Sequence, residues 1–301
     1  MSQTISYFEL GASLYTPCTH PRLGQIMKQG ISAARSLVFC TEDAVNADEL
    51  EDALRNLSQS LASLEPRGRF RRFVRPRNVE VLRRILTMKG VEKLDGFVLP
   101  KADSQTLPAY RALLNTTTTP FVVMPTLETA EVLDQSALAG LRNQLDRFSR
   151  QTLCLRIGGN DLLNLMGLKR LPGLTAYDTP LRTVIEQLVI GFRPHGYELS
   201  APVFDFIDDR STLINEVNHD ISYGLLAKTA IHPVQLAVIE QQYALYTERH
   251  IEQARAVLSD DAKGVFRLNG QMMERTCHAN WAIRTLALAD QLTHADTICT
   301  G

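Results

Sequence analysis

Eight times before residue 246, a short apolar run gives way to a loop and then to apolar residues at helical spacing. This recurrence constrains the chain more than any other feature in it. Strands that alternate with helices at this interval lie parallel, because each helix carries the chain back to the end of the sheet where the strand began. Eight such units favour closure of the sheet on itself. The expected fold is therefore α/β, a TIM (β/α)8 barrel with a C-terminal helical lid extension. Its working residues would stand at the carboxyl ends of the strands.

The strand runs are GASLYTP, SLVFC, RFRRFV from Arg69 to Val74, DGFVL, PFVVMP, TLCLRI, SAPVF and KTAI. Helices are expected from Pro21 or Arg22 and over 47–64, where Leu50, Leu54, Leu57 and Leu61 share a face. Others follow over 79–88, between Lys101 and Pro120, over 130–148, just after Asp161, around Leu181 to Val189, over 211–226, and from Pro233. After about Thr247 the rhythm breaks. A helical stretch (HIEQARAVLSD), a glycine-containing turn (AKGVFRLNG) and an Ala/Leu-rich helix (WAIRTLALADQL) suggest an appendage over 247–301 attached to a barrel over 1–246. Such an appendage can cover a barrel mouth, its own or a neighbour's.

A chain of 301 residues, 45% of them hydrophobic, has the length and apolar content such a barrel needs. Its net charge of -1 argues against a dedicated nucleic-acid binder, so the basic run RGRFRRFVRPR reads as a solvated turn entering a strand. No apolar run is long enough to span a membrane, and the first residues lack the pattern of a signal peptide. The five cysteines (Cys18, Cys40, Cys154, Cys277 and Cys299) are scattered and never form CxxC. They read as reduced thiols of a cytoplasmic protein.

Two strand ends carry the strongest chemical signal. PFVVMP runs into Thr126-Leu127-Glu128, and TLCLRI runs into Gly158-Gly159-Asn160-Asp161. Carboxylates at the ends of neighbouring parallel strands lie on one rim, where they can share a hard cation and leave positions open for a substrate oxygen. Gly158 and Gly159 would let the backbone approach that ligand. Arg75 ends the third strand and shares a face with Phe73 and Arg77 by two-residue alternation; its planar fork matches a carboxylate. Glu42 and Asp43 follow the second strand, where helix capping is the competing role. Lys101 ends the fourth strand. Asp205, Asp208 and Asp209 follow the seventh, again with capping as the competitor. His232 in Ile-His-Pro reads as a buried, hydrogen-bonded histidine that shapes its loop, and His20 on the first loop as a candidate base.

These motifs, taken together, resemble a known family. EDAV after the second strand, VRPRN after the third, LPK after the fourth, LETA after the fifth, GGNDL after the sixth and AIHPVQ after the eighth come in the order seen in the HpcH/HpaI aldolase and citrate lyase β-subunit family. RLNGQMME near the C-terminus is similar to that family's lid motif. The resemblance implies a TIM barrel, Mg2+, and cleavage or formation of a C–C bond beside a carboxylate or acyl-CoA thioester through a metal-stabilised enolate. It makes Glu128 and Asp161 the metal ligands and Arg75 the grip on the substrate carboxylate; by their strand-end positions Arg77 is the fallback for that grip, and Lys101, Gly158 and Gly159 are further candidates for substrate contact. Glu42 and Asp43 become an acidic pair beside the metal's water shell. Glu274 falls where acyl-CoA members carry a lid acid that acts across a subunit boundary, in a trimer or hexamer.

The chain departs from the family where acyl-CoA and substrate would bind. Its first loop reads Thr16-Pro17-Cys18-Thr19-His20-Pro21-Arg22, without the usual glycine, and the lid carries Gln271 and Glu274 in place of lysine and aspartate. The leading expectation is a magnesium-dependent lyase of acyl-CoA or a related acid. A CoA-independent aldolase of a free 2-oxo or hydroxy acid, and a non-catalytic relative within a biosynthetic complex, are the alternatives.

Overall fold

The computed structural model describes residues 5–65, 70–148 and 151–299, with side chains as far as Thr293. Arg69, expected to open the third strand, and the side chain of Cys299 lie outside the described residues. Eight parallel strands form the barrel: β1 (Ala12–Pro17), β2 (Ser36–Cys40), β3 (Arg71–Arg75), β4 (Gly96–Leu99), β5 (Val122–Leu127), β6 (Leu155–Ile157), β7 (Leu199–Ser200) and β8 (Lys228–Ala230). Each pairs with its sequence neighbour from β1 to β7, and β8 pairs with β1. A parallel bridge between Ala201 and Lys228 closes the ring. The seventh strand is shorter than SAPVF suggested, because Pro202 has no N–H for the ladder.

Ten helices are described: α1 (Leu23–Gln29), α2 (Leu50–Ala62), α3 (Val79–Leu86), α4 (Leu107–Leu114), α5 (Leu138–Asp146), α6 (Gly159–Leu165), α7 (Leu181–Phe192), α8 (Arg210–Ser222), α9 (Pro233–Leu258) and α10 (Arg275–Cys299). The span 130–148 is not one helix. It is a 3-10 turn over Ala130–Leu133 followed by α5, because the Asp134 carboxylate accepts from the Ser136 N–H and hydroxyl and diverts the backbone from helical bonding. The helix expected over 211–226 stops at Ser222, and Gly224 turns the chain out at φ +74°.

Outward-facing strand residues pack on the helices; inward-facing ones alternate with them. Lys228 illustrates the outer contact. Its ammonium is wholly buried and donates to Glu216 Oε1 and Asp220 Oδ2 of α8, both at 2.8 Å, and to the Pro202 carbonyl at 2.9 Å. Arg170 and the Tyr177 hydroxyl bind the other oxygens of the same two acids, which ties the long loop between α6 and α7 to the barrel wall.

The C-terminal part differs from expectation in two ways. α9 runs unbroken through residue 246 for 26 residues, about 39 Å. The glycine-containing turn is a hairpin of β9 (Val265–Leu268) and β10 (Gln271–Glu274). α9 leaves the carboxyl end of β8 and so runs antiparallel to the strands, past the barrel's amino-end face. The hairpin sits at its far end, on Ala254 and Val257. α10 then returns along α9, and Arg284 pairs with Glu198, donates to the Gly224 carbonyl at 2.7 Å and lies over the Phe8 ring. These are residues at the strands' amino ends, so the appendage does not cover its own barrel's carboxyl-end mouth. Among the described residues, no helix is long and apolar enough to cross a membrane.

Removing one partner from a buried ion network leaves the others uncompensated. Lys228→Met is expected to destabilise the chain by about 3–5 kcal/mol in urea unfolding, whereas an unchanged midpoint would mean the network contributes nothing.

Candidate active site

The carboxyl ends of the strands enclose a cavity of about 390 Å³. Glu128, directly after β5, and Asp161, in the first turn of α6, stand in its wall together with Asp43, Arg75, Gly158 and Gly159. The Glu128 side chain is nearly fully buried. Its Oε1 accepts from Arg75 Nη2 at 3.0 Å and from the Lys101 backbone N–H at 2.7 Å. Its Oε2 is buried with no hydrogen-bond partner.

The backbone is shaped around this carboxylate. Lys101 sits at φ +47°, a left-handed conformation that costs a non-glycine residue about 1–2 kcal/mol. The bond from its N–H to Glu128 offsets that cost. Gly158 makes room on the other side, since a Cβ there would stand 2.4 Å from Glu128 Oε2. Gly159 serves packing, because its Cβ would meet Pro202 at 2.9 Å.

An orphaned buried carboxylate oxygen beside a second acid fits a small divalent cation. Magnesium takes one or two carboxylates and fills its other positions with water or substrate. Among the described residues, no group of three or more His, Cys, Asp or Glu is placed to form a closed cage. Glu128 and Asp161 can hold the ion as a sparse, open pair.

Arg75 gathers the acids of this rim. Its Nη2 lies 2.7 Å from Glu42 Oε2, 3.0 Å from Glu128 Oε1 and 3.2 Å from Asp43 Oδ2, while its Nε is buried without a partner. Lys101 Nζ donates to Glu42 Oε1 at 2.7 Å and lies 3.5 Å from Asp43. Glu42 and Asp43 therefore do not cap α2, which starts only at Leu50. Burial opposes ionisation of Glu42, but hydrogen bonds from Asp43 and Lys101 and the Arg75 charge hold it down at about 2. Burial and the adjacent Glu42 push Asp43 up to about 6. The pair thus keeps a proton only below about pH 6, on the more exposed Asp43, and is ionised above it. Burial, with the Asp161 charge added, pushes Glu128 up to about 7 against the pull of Arg75.

Other candidates lie elsewhere. Arg77 is spent on the carbonyls of Thr41 and Val45, bracing the loop after β2, and is not in the cavity wall. His20 Nδ1 accepts from the Arg22 N–H in a local turn. His232 caps α9 and is half exposed, not buried. Asp209 caps α8, Asp205 faces Arg170 at 3.4 Å, and Asp208 is exposed. Glu274 is on the hairpin, at the far end of α9 from this cavity. The sequence reading missed Tyr15, Thr126, Arg156 and Thr229, which line the cavity's inner part. Arg156 had a readable signal: it is a lone charge in an apolar run, in alternation with Gly158 and hence on the inward face.

The raised Glu128 pKa has a consequence for stability. An acid whose folded pKa lies above its unfolded value loses stability as pH rises between the two. For Glu128 that window runs from 4.5 to about 7, and the loss is at most about 3 kcal/mol. In chelator-treated protein, Glu128→Gln should raise the thermal midpoint relative to the parent at pH 8 but not at pH 4.5. A midpoint difference independent of pH would contradict a raised Glu128.

Comparison with known proteins agrees with this fold. A (3S)-malyl-CoA thioesterase of Cereibacter sphaeroides is 26% identical over 286 residues, covering 93% of this chain and 94% of that protein. Among solved structures, CitE of Mycobacterium tuberculosis in complex with magnesium, acetoacetate and coenzyme A superposes with a TM-score of 0.66 at 19% identity, over 93% of this chain and 98% of that one. RipC of Yersinia pestis gives a TM-score of 0.59 at 19% identity, over 79% and 96%. A family model described as C–C bond lyase of the TIM-barrel fold matches residues 4–292. With the closed parallel barrel, that match over nearly the whole chain makes this protein a member of the C–C bond lyases of the TIM-barrel fold.

Proposed function

We propose that the chain is a magnesium-dependent carbon–carbon lyase that cleaves or forms the bond beside the carboxylate or thioester carbonyl of a small acid, free or carried on coenzyme A. The observation that carries this reading is the unpartnered Glu128 Oε2, which lies against Gly158 in a cavity wall that Asp161 shares. Glu128 and Asp161 hold the ion, which supplies Lewis-acid stabilisation of negative charge on the substrate oxygen. Structural relatives crystallised with magnesium and with acetoacetate or oxaloacetate support the choice of ion and of substrate size.

The chain's own residues orient the acid and move a proton. Arg75, fixed through Nη2 by three carboxylates, lines the cavity and meets the substrate carboxylate there. Asp43, at about 6, is poised to take a proton from a substrate hydroxyl and return it to the cleaved carbon. Glu42 and Lys101 hold Asp43 and Arg75 in place. Arg77 acts through the loop it braces.

Glu274 serves a barrel other than its own in this reading. The hairpin stands beyond the amino-end face, so it meets a carboxyl-end mouth only in a second copy. Exposed Val265 and Met272 on the hairpin, and Leu165, Leu168, Ile231 and Val234 around the mouth, supply apolar surface for that contact in a trimer or hexamer. The free thiols of Cys18, Cys40 and Cys154 suit the cytoplasm. Thioester hydrolysis is the second reading, favoured by the relative named for that activity. A CoA-independent aldolase is the other alternative; calorimetry with coenzyme A, with and without magnesium, separates it from the acyl-CoA enzyme.

Glu128→Gln and Asp161→Asn are each expected to lower kcat/KM at least about 100-fold with the fold intact, and magnesium should restore activity only to the chelated parent. Full turnover in either variant after chelation overturns the reading. Arg75→Ala should weaken binding of pyruvate-like acids about 10- to 100-fold, and unchanged affinity would remove Arg75 from the substrate contact.

A further inference from the structure

The floor of the cavity holds a charge that the reaction above does not use. Arg156 on β6 points into the barrel, is 2% exposed and lines the cavity. Among the described residues no carboxylate lies within ion-pairing distance of it. Its contacts are neutral: Nη2 donates to Thr229 Oγ1 at 2.8 Å, Nη1 reaches Ser13 Oγ at 3.4 Å and Met124 Sδ at 3.5 Å, and Nε has no partner. The Tyr15 ring lies 5.4 Å from its guanidinium carbon. A guanidinium offers five N–H donors, and only one of these bonds is short.

Other buried arginines are satisfied differently. Arg170 is held by Glu216 and Asp205. Arg72 donates to the Glu65 carbonyl and lies over the Phe70 ring, and it does not line the cavity. Arg75 is already neutralised by its three acids. Among the described residues, Arg156 alone brings uncompensated positive charge to the cavity wall.

Its depth is set by register. Arg156 pairs with Thr126, two residues before Glu128 on the same face of β5, so its backbone lies roughly 7 Å below the rim. Thr126 Oγ1, beside it, is also buried without a partner. We propose that Arg156 is a second anion anchor and that the site takes a short dicarboxylic acid. One end of the acid is held at the rim by Arg75 and the Glu128–Asp161 pair, and the other carboxylate rests on Arg156. This rests on the reading of the rim given above. The second carboxylate replaces long contacts with a forked, charge-assisted pair in a water-poor setting, and Thr126 adds a donor. A monocarboxylic acid leaves Arg156 unpaired and is disfavoured.

Titration calorimetry of the full chain in magnesium buffer with (S)-malate and (S)-lactate tests the proposal. The two share a hydroxyl and one carboxylate and differ in the second. The parent should bind malate about 10- to 100-fold more tightly than lactate. Arg156→Met should bring malate down to the lactate value with lactate unchanged, and Arg156→Lys should keep part of the preference. Because Arg156→Met removes an unpaired buried charge, its thermal midpoint should not fall, and Arg156→Lys supplies a charged comparison if it does. Equal affinities in the parent, a malate preference that survives Arg156→Met, or equal loss of both acids at a native midpoint each overturns the anchor. Glu128→Gln with the same acids separates the two readings. It weakens both acids if the rim is the metal site. If it weakens neither while Arg156→Met still abolishes the preference, the rim reading fails and the anchor stands.

Discussion

The barrel depends on a lysine that has no access to water. β8 is only three residues long, yet it must pair with β1 on one side and meet β7 on the other for the sheet to close. Lys228, at its start, pairs with Ala12 and bridges to Ala201 while its ammonium reaches outward to Glu216 and Asp220 of α8. A buried lysine is costly alone, so the closing strand and the eighth helix fix each other. Closure in turn places eight strand ends on one rim. Without it, Glu128 and Asp161 would belong to an open sheet edge and not to one cavity.

At that rim the protein holds more acid than its local cations balance. Glu42, Asp43, Glu128 and Asp161 surround one arginine and one lysine. The strain shows in where protons remain: Asp43 and Glu128 are both pushed toward neutral values, whereas Glu42, which sits between Arg75 and Lys101, is held low. Such a cluster is unfavourable as a folding device and useful as a receptor, since a cation lowers its energy and a proton can leave it near neutral pH. The left-handed Lys101 and the glycine at 158 are backbone adjustments made for the same carboxylate.

The barrel was legible because apolar runs and strand-end acids repeat in a fixed order, and the placing of Glu128 and Asp161 after adjacent strands follows from chain connectivity alone. Three features were not legible, each for a physical reason. The break at Asp134 depends on a side chain competing with the backbone, which apolar spacing does not register. The hairpin after Ser259 and the unbroken α9 depend on packing between Ala254, Val257, Met273 and Ala282, which lie far apart in sequence. The inner cavity residues look like ordinary strand residues. Arg156 and Lys228 are both single charges in short apolar runs, yet one faces into the barrel and the other out to a helix, and only the register with neighbouring strands distinguishes them.

The returning helix has a further structural meaning. Arg284 closes over Phe8, Glu198 and the Gly224 carbonyl, and Leu288 enters the main core. The C-terminal segment is thus a base plate for the barrel it grows from. Its outer end is left free for another task, and its inner end cannot be cut away without wetting the underside of the strands.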